Sequence, residues 1–166
     1  PPPPPPPFFQ SEDGIRDKHI CLVGSEMCIR DRLNGVFMFA ADLMKGINLP
    51  AEISFIKLSS YQDTSSTGDI QELIGLKEDI QGMDIVIIED IIDTGETISH
   101  VVKKIKEMGP KSVEIATLLL KPDVFDKNIP LKYVGFKIPH KFVIGYGLDY
   151  NGHGRNLKDI YQIKHQ

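Results

Sequence analysis

Glu89, Asp90 and Asp93 crowd the end of an apolar run and are followed at once by Thr94-Gly95-Glu96-Thr97. The run "DIVIIEDIIDTGETISHVVKKIKEMG" reads as a buried strand that turns into a helix. A helix start offers free backbone N–H groups and a partial positive charge. Gly95 lets the backbone approach a ligand closely, and Thr94 and Thr97 add hydroxyl donors, so the turn suits a phosphate. The acids do not suit phosphate, but they accept hydrogen bonds from sugar hydroxyls or interact with a bridging Mg²⁺. Together these residues suit a ligand that carries phosphate, sugar and metal. The string lacks G-x-x-x-x-G-K-[ST] and is no Walker loop. Taken singly, a Thr or Asp at a helix start is usually a cap, and an acidic pair at a strand end is usually solvated.

Elements must hold these groups in place. "GVFMFAADLMKGI" has helical spacing and stops at Gly46. "AEISFIKL" alternates as a strand, and "SSYQDTSSTGDIQEL" reads as a polar, mobile loop. "DIVIIE" and "SVEIATLLL" are continuous apolar runs of the kind found in central parallel strands. Between them, "TISHVVKKIKEM" is an amphipathic helix closed by Gly109-Pro110. "KYVGFKI" and "FVIGYGLD" read as shorter strands. Strands alternating with helices predict an α/β fold with a mainly parallel sheet. In such a sheet, ligands sit at the carboxyl ends of the strands, where Glu89 and Asp90 lie.

The 166 residues are enough for one domain with a sizeable core. A net charge of -4 argues against a non-specific nucleic-acid binder. No apolar run approaches the roughly 20 residues that span a bilayer. Cys21 and Cys28 are the only cysteines, and their spacing fits neither a disulfide scaffold nor a common zinc site, so a cytoplasmic protein is expected. Residues 1–32 differ from the rest. Seven prolines open the chain, and "SEDGIRDKHICLVGSEMCIRDR" is similar to a sequencing adapter read in frame. Residues 1–32 are therefore expected to be non-native and disordered, with one domain over 33–166.

The string "VIIEDIIDTGETI" resembles the phosphoribosyl-pyrophosphate signature of the type I phosphoribosyltransferases, nearest to the hypoxanthine(-guanine) enzymes. The resemblance runs from Leu33 to about Lys164. In family order it includes "LNG", "LSSYQDTSSTGDI", "LLLK", "KYVGFKIP" and "FVIGYGLDYNGHGRNL". It implies a mainly parallel sheet flanked by helices with a small C-terminal hood. It also implies purine salvage, in which phosphoribosyl pyrophosphate and a 6-oxopurine give nucleotide and pyrophosphate, with Mg²⁺ as cofactor. Glu89 and Asp90 would hold the ribose hydroxyls and, mostly indirectly, the metal. Asp93 would act as base at purine N7, and Asp93 through Thr97, Glu96 included, would bind the 5′-phosphate. Lys121 would donate to the 6-oxo group, Tyr133 would stack on the ring, and Val134 would read its edge. Asn34, Gly35 and Arg155 would contact pyrophosphate, and Ser60 and Tyr61 would sit on a closing loop. Members of the family are usually homodimers or homotetramers, with no nucleic acid or membrane partner.

Two departures stand out. The resemblance suggests a second metal ligand after the Ile-Pro of "FKIPHKF", and there the chain has His140, a poor match for hard Mg²⁺. The family also has a helix and a strand before "LNG", so the first strand and N-terminal helix are expected to be missing. An inactive fragment, or an RNA-binding regulator on the same fold, are the alternative readings.

Overall fold

The computed structural model describes residues 20–27, 35–61, 70–74, 79–126 and 128–163; for 20–27, 57–61 and 70–74 it describes the backbone alone. The strands are β1 (Ile20–Met27), β2 (Ala51–Tyr61), β3 (Ile70–Ile74), β4 (Asp84–Ile92), β5 (Ser112–Leu120) and β6 (Tyr133–Lys137), with the short β7 (Val143–Ile144) and β8 (Tyr161–Gln162). The helices are α1 (Phe37–Lys45) and α2 (Glu96–Glu107). The first six strands form one sheet in the order β3-β2-β1-β4-β5-β6, and β7 pairs with β8 in a separate ribbon. All neighbours in the large sheet are parallel except β2 and β3.

The sheet is covered on both faces, which explains the unbroken apolar run Ile85–Ile88 in β4. Successive side chains of a strand point to opposite faces. Ile85 and Ile87 accordingly join one core with Ile98, Val101 and Ile105 of α2. Val86 and Ile88 join the other with Phe39, Ala40 and Leu43 of α1. In α2 the three buried residues recur at helical spacing, and burying each contributes roughly 1.5–3 kcal/mol. The α1 helix ends at Gly46, whose N–H donates to the Leu43 carbonyl, while the Ile47 N–H donates to that of Met44.

The expected strands and helices at 35–46, 51–58, 84–89, 97–108, 112–120 and 132–138 are present, shifted by a few residues at their ends. Three expectations need correction. First, the strand expected to be missing is supplied from within residues 1–32. The backbone of Ile20–Met27 lies between β2 and β4, pairing with both in parallel. "ICLV" has the β-branched and apolar character of a strand, and without it β2 and β4 would present bare ladders to each other. The expectation that the N-terminal helix is missing concerns residues 1–19, outside the described residues. Second, the polar loop after Leu58 is shorter than expected, because β2 continues to Tyr61 and β3 begins at Ile70. Third, "FVIGYGLD" is a strand for only Val143–Ile144. Gly145, Tyr146 and Gly147 all have positive φ and turn the chain out of the ladder.

Candidate active site

The carboxyl ends of β4, β5 and β6 converge. Glu89, near the end of β4, is buried. Asp90 lies next to it, and its Oδ1 accepts the Ile91 N–H at 2.7 Å. Burial pushes the Asp90 carboxyl above its ordinary range, against the opposing pull of backbone hydrogen bonds and the Arg155 charge. Gly35 packs directly on this carboxylate, and a Cβ there would overlap Asp90 Oδ2. The turn before α1 thus touches the acid at the mouth of β4, across a long stretch of sequence.

Asp93 begins the turn into α2. Its Oδ2 accepts from Lys121 Nζ at 2.8 Å. Lys121 follows β5, is itself buried, and donates its backbone N–H to Ile92 O. Asp93 Oδ1 is inaccessible to solvent and has no hydrogen-bond partner among the described residues. His140, in the loop after β6, places Nδ1 3.5 Å from that oxygen. The carboxylate His140 faces is therefore Asp93, at the base of the turn, and its side chain is 60% exposed.

Gly95 is the N-cap of α2, with φ of 90°. It has no side chain to occupy the first-turn amides, and the nearby contact from Glu96 N–H to Thr94 Oγ1 is long at 3.4 Å. A Cβ on Gly95 would lie 2.8 Å from Ile129 Cδ1 and 2.9 Å from Phe125 Cε2. Thr94, Glu96, Ser99, Phe125 and Asp126 border a cleft of about 420 Å³ on the flank of the turn. Thr97 lies in the first turn of α2. The turn is anchored from below by the Asp126 N–H, which donates to Thr94 O.

The remaining expected residues divide. Tyr133 and Val134 stand apart from this cluster. Tyr133 pairs with Ala116, four residues before the end of β5 at Leu120, which is about 13 Å along the strand at roughly 3.3 Å per residue. Its ring lies under Lys132 Nζ, and Val134 packs into the core on the α2 side. Their expected contacts with a base at the strand ends do not fit this register. Phe142, an exposed aromatic ring two residues after His140, is held edge-on against Tyr150 at 5.4 Å. Arg155 is committed to its own loop: Nη1 donates to Gly147 O, and Nη2 pairs with Asp149, each at 2.6 Å. Ser60 and Tyr61 form the end of β2, opposite Gln71 and Ile70 of β3, rather than a loop. Their side chains, and Asn34, lie outside the described residues.

Sequence reasoning missed Phe142, Tyr146 and Asp149. Asp149 contributes to the electrostatics of Asp90 and lies opposite Arg155. All three fall in or beside the quoted "FVIGYGLDYNGHGRNL", whose run of glycines was the available signal of a folded-back loop.

A parallel sheet of this order, with a paired-acid strand end leading into a glycine turn and helix, defines a phosphoribosyltransferase. Residues 33–151 match the family described as "Phosphoribosyl transferase domain", and the chain belongs to that family. Within it the relatives are hypoxanthine(-guanine) phosphoribosyltransferases. The chain is 46% identical over 141 residues to hypoxanthine phosphoribosyltransferase from Salmonella typhimurium, covering 84% of this chain and 79% of that protein. It is 41% identical to hypoxanthine-guanine phosphoribosyltransferase from Mycobacterium avium, covering 82% and 68%. The crystal structure of a hypoxanthine phosphoribosyltransferase from Staphylococcus aureus superposes with a TM-score of 0.73 at 37% identity, covering 90% and 78% of the two chains. No helix among the described residues is long and apolar enough to cross a membrane.

Proposed function

We propose that this chain transfers the phosphoribosyl group of phosphoribosyl pyrophosphate to hypoxanthine or guanine, releasing pyrophosphate. The observation that carries this reading is the Lys121–Asp93 pair at 2.8 Å, with Asp93 Oδ1 left without a partner. The pair offers a donor beside an acceptor. A 6-oxopurine protonated at N7 presents the complement, an O6 acceptor beside an N7–H donor. Lys121 has donors only, so it suits a 6-oxo group and opposes the 6-amino group of adenine. In the reaction the N9–C1′ bond forms as the bond from C1′ to the pyrophosphate oxygen breaks, and the N7 proton passes to Asp93 Oδ1. Charge on Glu89 and Asp90 favours the cationic sugar in the transition state.

The amides of the Gly95 turn take the 5′-phosphate, and Gly35 and the Arg155 loop border the pyrophosphate. Phe142, rather than Tyr133, supplies the aromatic face for the base. Asp90 and Asp149 are hard oxygen donors on one side of the site and fit Mg²⁺. Bound there with the diphosphate, the ion would neutralise charge on the leaving group. The reading places the machinery in residues 33–166 and gives Ile20–Met27 a scaffold role as β1. A cytoplasmic homodimer or homotetramer goes with it.

The test is steady-state kinetics with hypoxanthine, guanine and adenine. A site built on such a polar contact should disfavour adenine by about 10⁴-fold in kcat/KM. Comparable values for adenine and hypoxanthine would overturn the assignment.

A further inference from the structure

The loop that carries Asp149 and Arg155 is tied to α1 by an exposed side-chain hydrogen bond. Tyr146 Oη donates to Asp42 Oδ2 at 2.6 Å. Lys45 and this phenol hold the Asp42 carboxyl below its ordinary range, and burial together with Asp42 holds the Tyr146 phenol well above its own. The bond therefore joins a neutral donor to an ionised acceptor, the stronger kind. Tyr146 has φ of 52°, a costly conformation for a bulky side chain. Its backbone N–H donates to Leu157 O, and the next residue, Gly147, exchanges bonds with Arg155 through both its N–H and its C=O.

Gly147 in turn packs against the Gly35 carbonyl so closely that a Cβ would overlap it, and Gly35 packs on Asp90 in the same way. Four contacts thus form a line: Asp42 to Tyr146, Gly147 to Gly35, Gly35 to Asp90, and Arg155 back to Gly147. The Gly147–Gly35 contact is backbone against backbone, and the carboxylate that Gly35 meets is itself held by the Ile91 N–H. The line ends on the diphosphate half of the site. Lys121, Asp93 and His140, on the base half, are not part of it.

We infer that Tyr146 and Asp42 are positioning residues that set the pyrophosphate half of the site, through Gly147 and Gly35, without touching substrate. The inference rests on the proposed function for the identity of the ligand. It requires that loosening the tie weaken pyrophosphate and phosphoribosyl pyrophosphate and leave the purine alone.

The experiment uses the full chain with Tyr146→Phe, Asp42→Ala, Asp42→Asn and the Phe/Ala double variant. A hydrogen bond to a charged group is commonly worth about tenfold or more in an equilibrium. Tyr146→Phe should raise KM for phosphoribosyl pyrophosphate about tenfold and keep KM for hypoxanthine within about twofold. Asp42→Ala should match it, the double variant should be no worse than either single one, and Asp42→Asn, which keeps an acceptor but loses its charge, should fall between the parent and Asp42→Ala. Calorimetric titration with inorganic pyrophosphate and Mg²⁺ should show the same pattern without turnover. That arm separates the two readings: a chain that binds pyrophosphate in this pattern but does not use hypoxanthine loses the proposed function and keeps the tie. Purine and pyrophosphate affinities falling together with the melting temperature would make the bond merely structural and overturn the inference. Unchanged pyrophosphate binding in Tyr146→Phe would overturn it as well.

Discussion

Asp93 has two oxygens in different circumstances, one held by Lys121 and one buried without a partner. Asp93→Asn removes the proton acceptor and leaves a hydrogen-bonding side chain of similar shape. We expect kcat to fall by about 10²–10⁴, with KM for phosphoribosyl pyrophosphate little changed; near-normal turnover would take Asp93 out of the chemistry. His140 faces this same oxygen. A carboxylate at 140 would set two like charges side by side, so His140→Asp should depress kcat while leaving half-saturation by Mg²⁺ in place. A Mg²⁺ titration moved to lower concentration would instead return position 140 to the metal. Asp90 invites a different measurement. Burial raises its carboxyl above the ordinary value of 3.8, so the folded protein holds that proton more tightly than the unfolded chain. The associated stability is complete below the unfolded value and is lost as pH rises through the folded one. In metal-free buffer at pH 7, Asp90→Asn should therefore raise Tm, by roughly 2–4 °C per kcal/mol recovered. The gain should fade as pH drops toward the unfolded value.

The turn into α2 is where an element and a ligand site coincide. Gly95→Ala would impose a side chain at φ of 90° and press its Cβ on Ile129 and Phe125. We expect a loss of about 1–3 kcal/mol in stability, read by denaturant titration, and weaker binding of phosphoribosyl pyrophosphate than of purine. An alanine variant with parental stability would mean the turn tolerates a side chain and is not tightly set. The same stretch shows what a sequence can disclose. Ile85 through Ile88 and the α2 stripe of Ile98, Val101 and Ile105 have the periodicities of a two-faced strand and an amphipathic helix, and both are found where expected. Lys121 and Asp93 were singled out by the family resemblance, and each directly follows a strand, β5 and β4 respectively. Tyr133 was misread because a motif gives residue order but not register, and only the pairing with Ala116 reveals that it lies upstream of the strand end. The Tyr146–Asp42 tie and the Gly35–Asp90 contact join residues far apart in sequence, and no local pattern announces such a meeting.

In the whole molecule, β1 is the strand with parallel partners on both sides that comes from outside the residues matched to the family. A proline there removes a ladder donor and clashes with the strand geometry. Val23→Pro should abolish cooperative thermal unfolding or cut stability by about 3 kcal/mol or more; a silent Val23→Pro would show that the sheet stands without Ile20–Met27. The strand order also sets a clock. β1 leaves the ribosome early, yet its partner β4 begins at Asp84, opposite Ile20 in the ladder and 64 positions later. At about 5–20 residues per second, synthesis leaves one side of "ICLVG" waiting for roughly 3–13 s. During that interval a sticky ribbon edge is open to every neighbouring nascent chain, so the yield of native protein should depend on growth temperature and holding chaperones more than the stability of the finished fold would suggest.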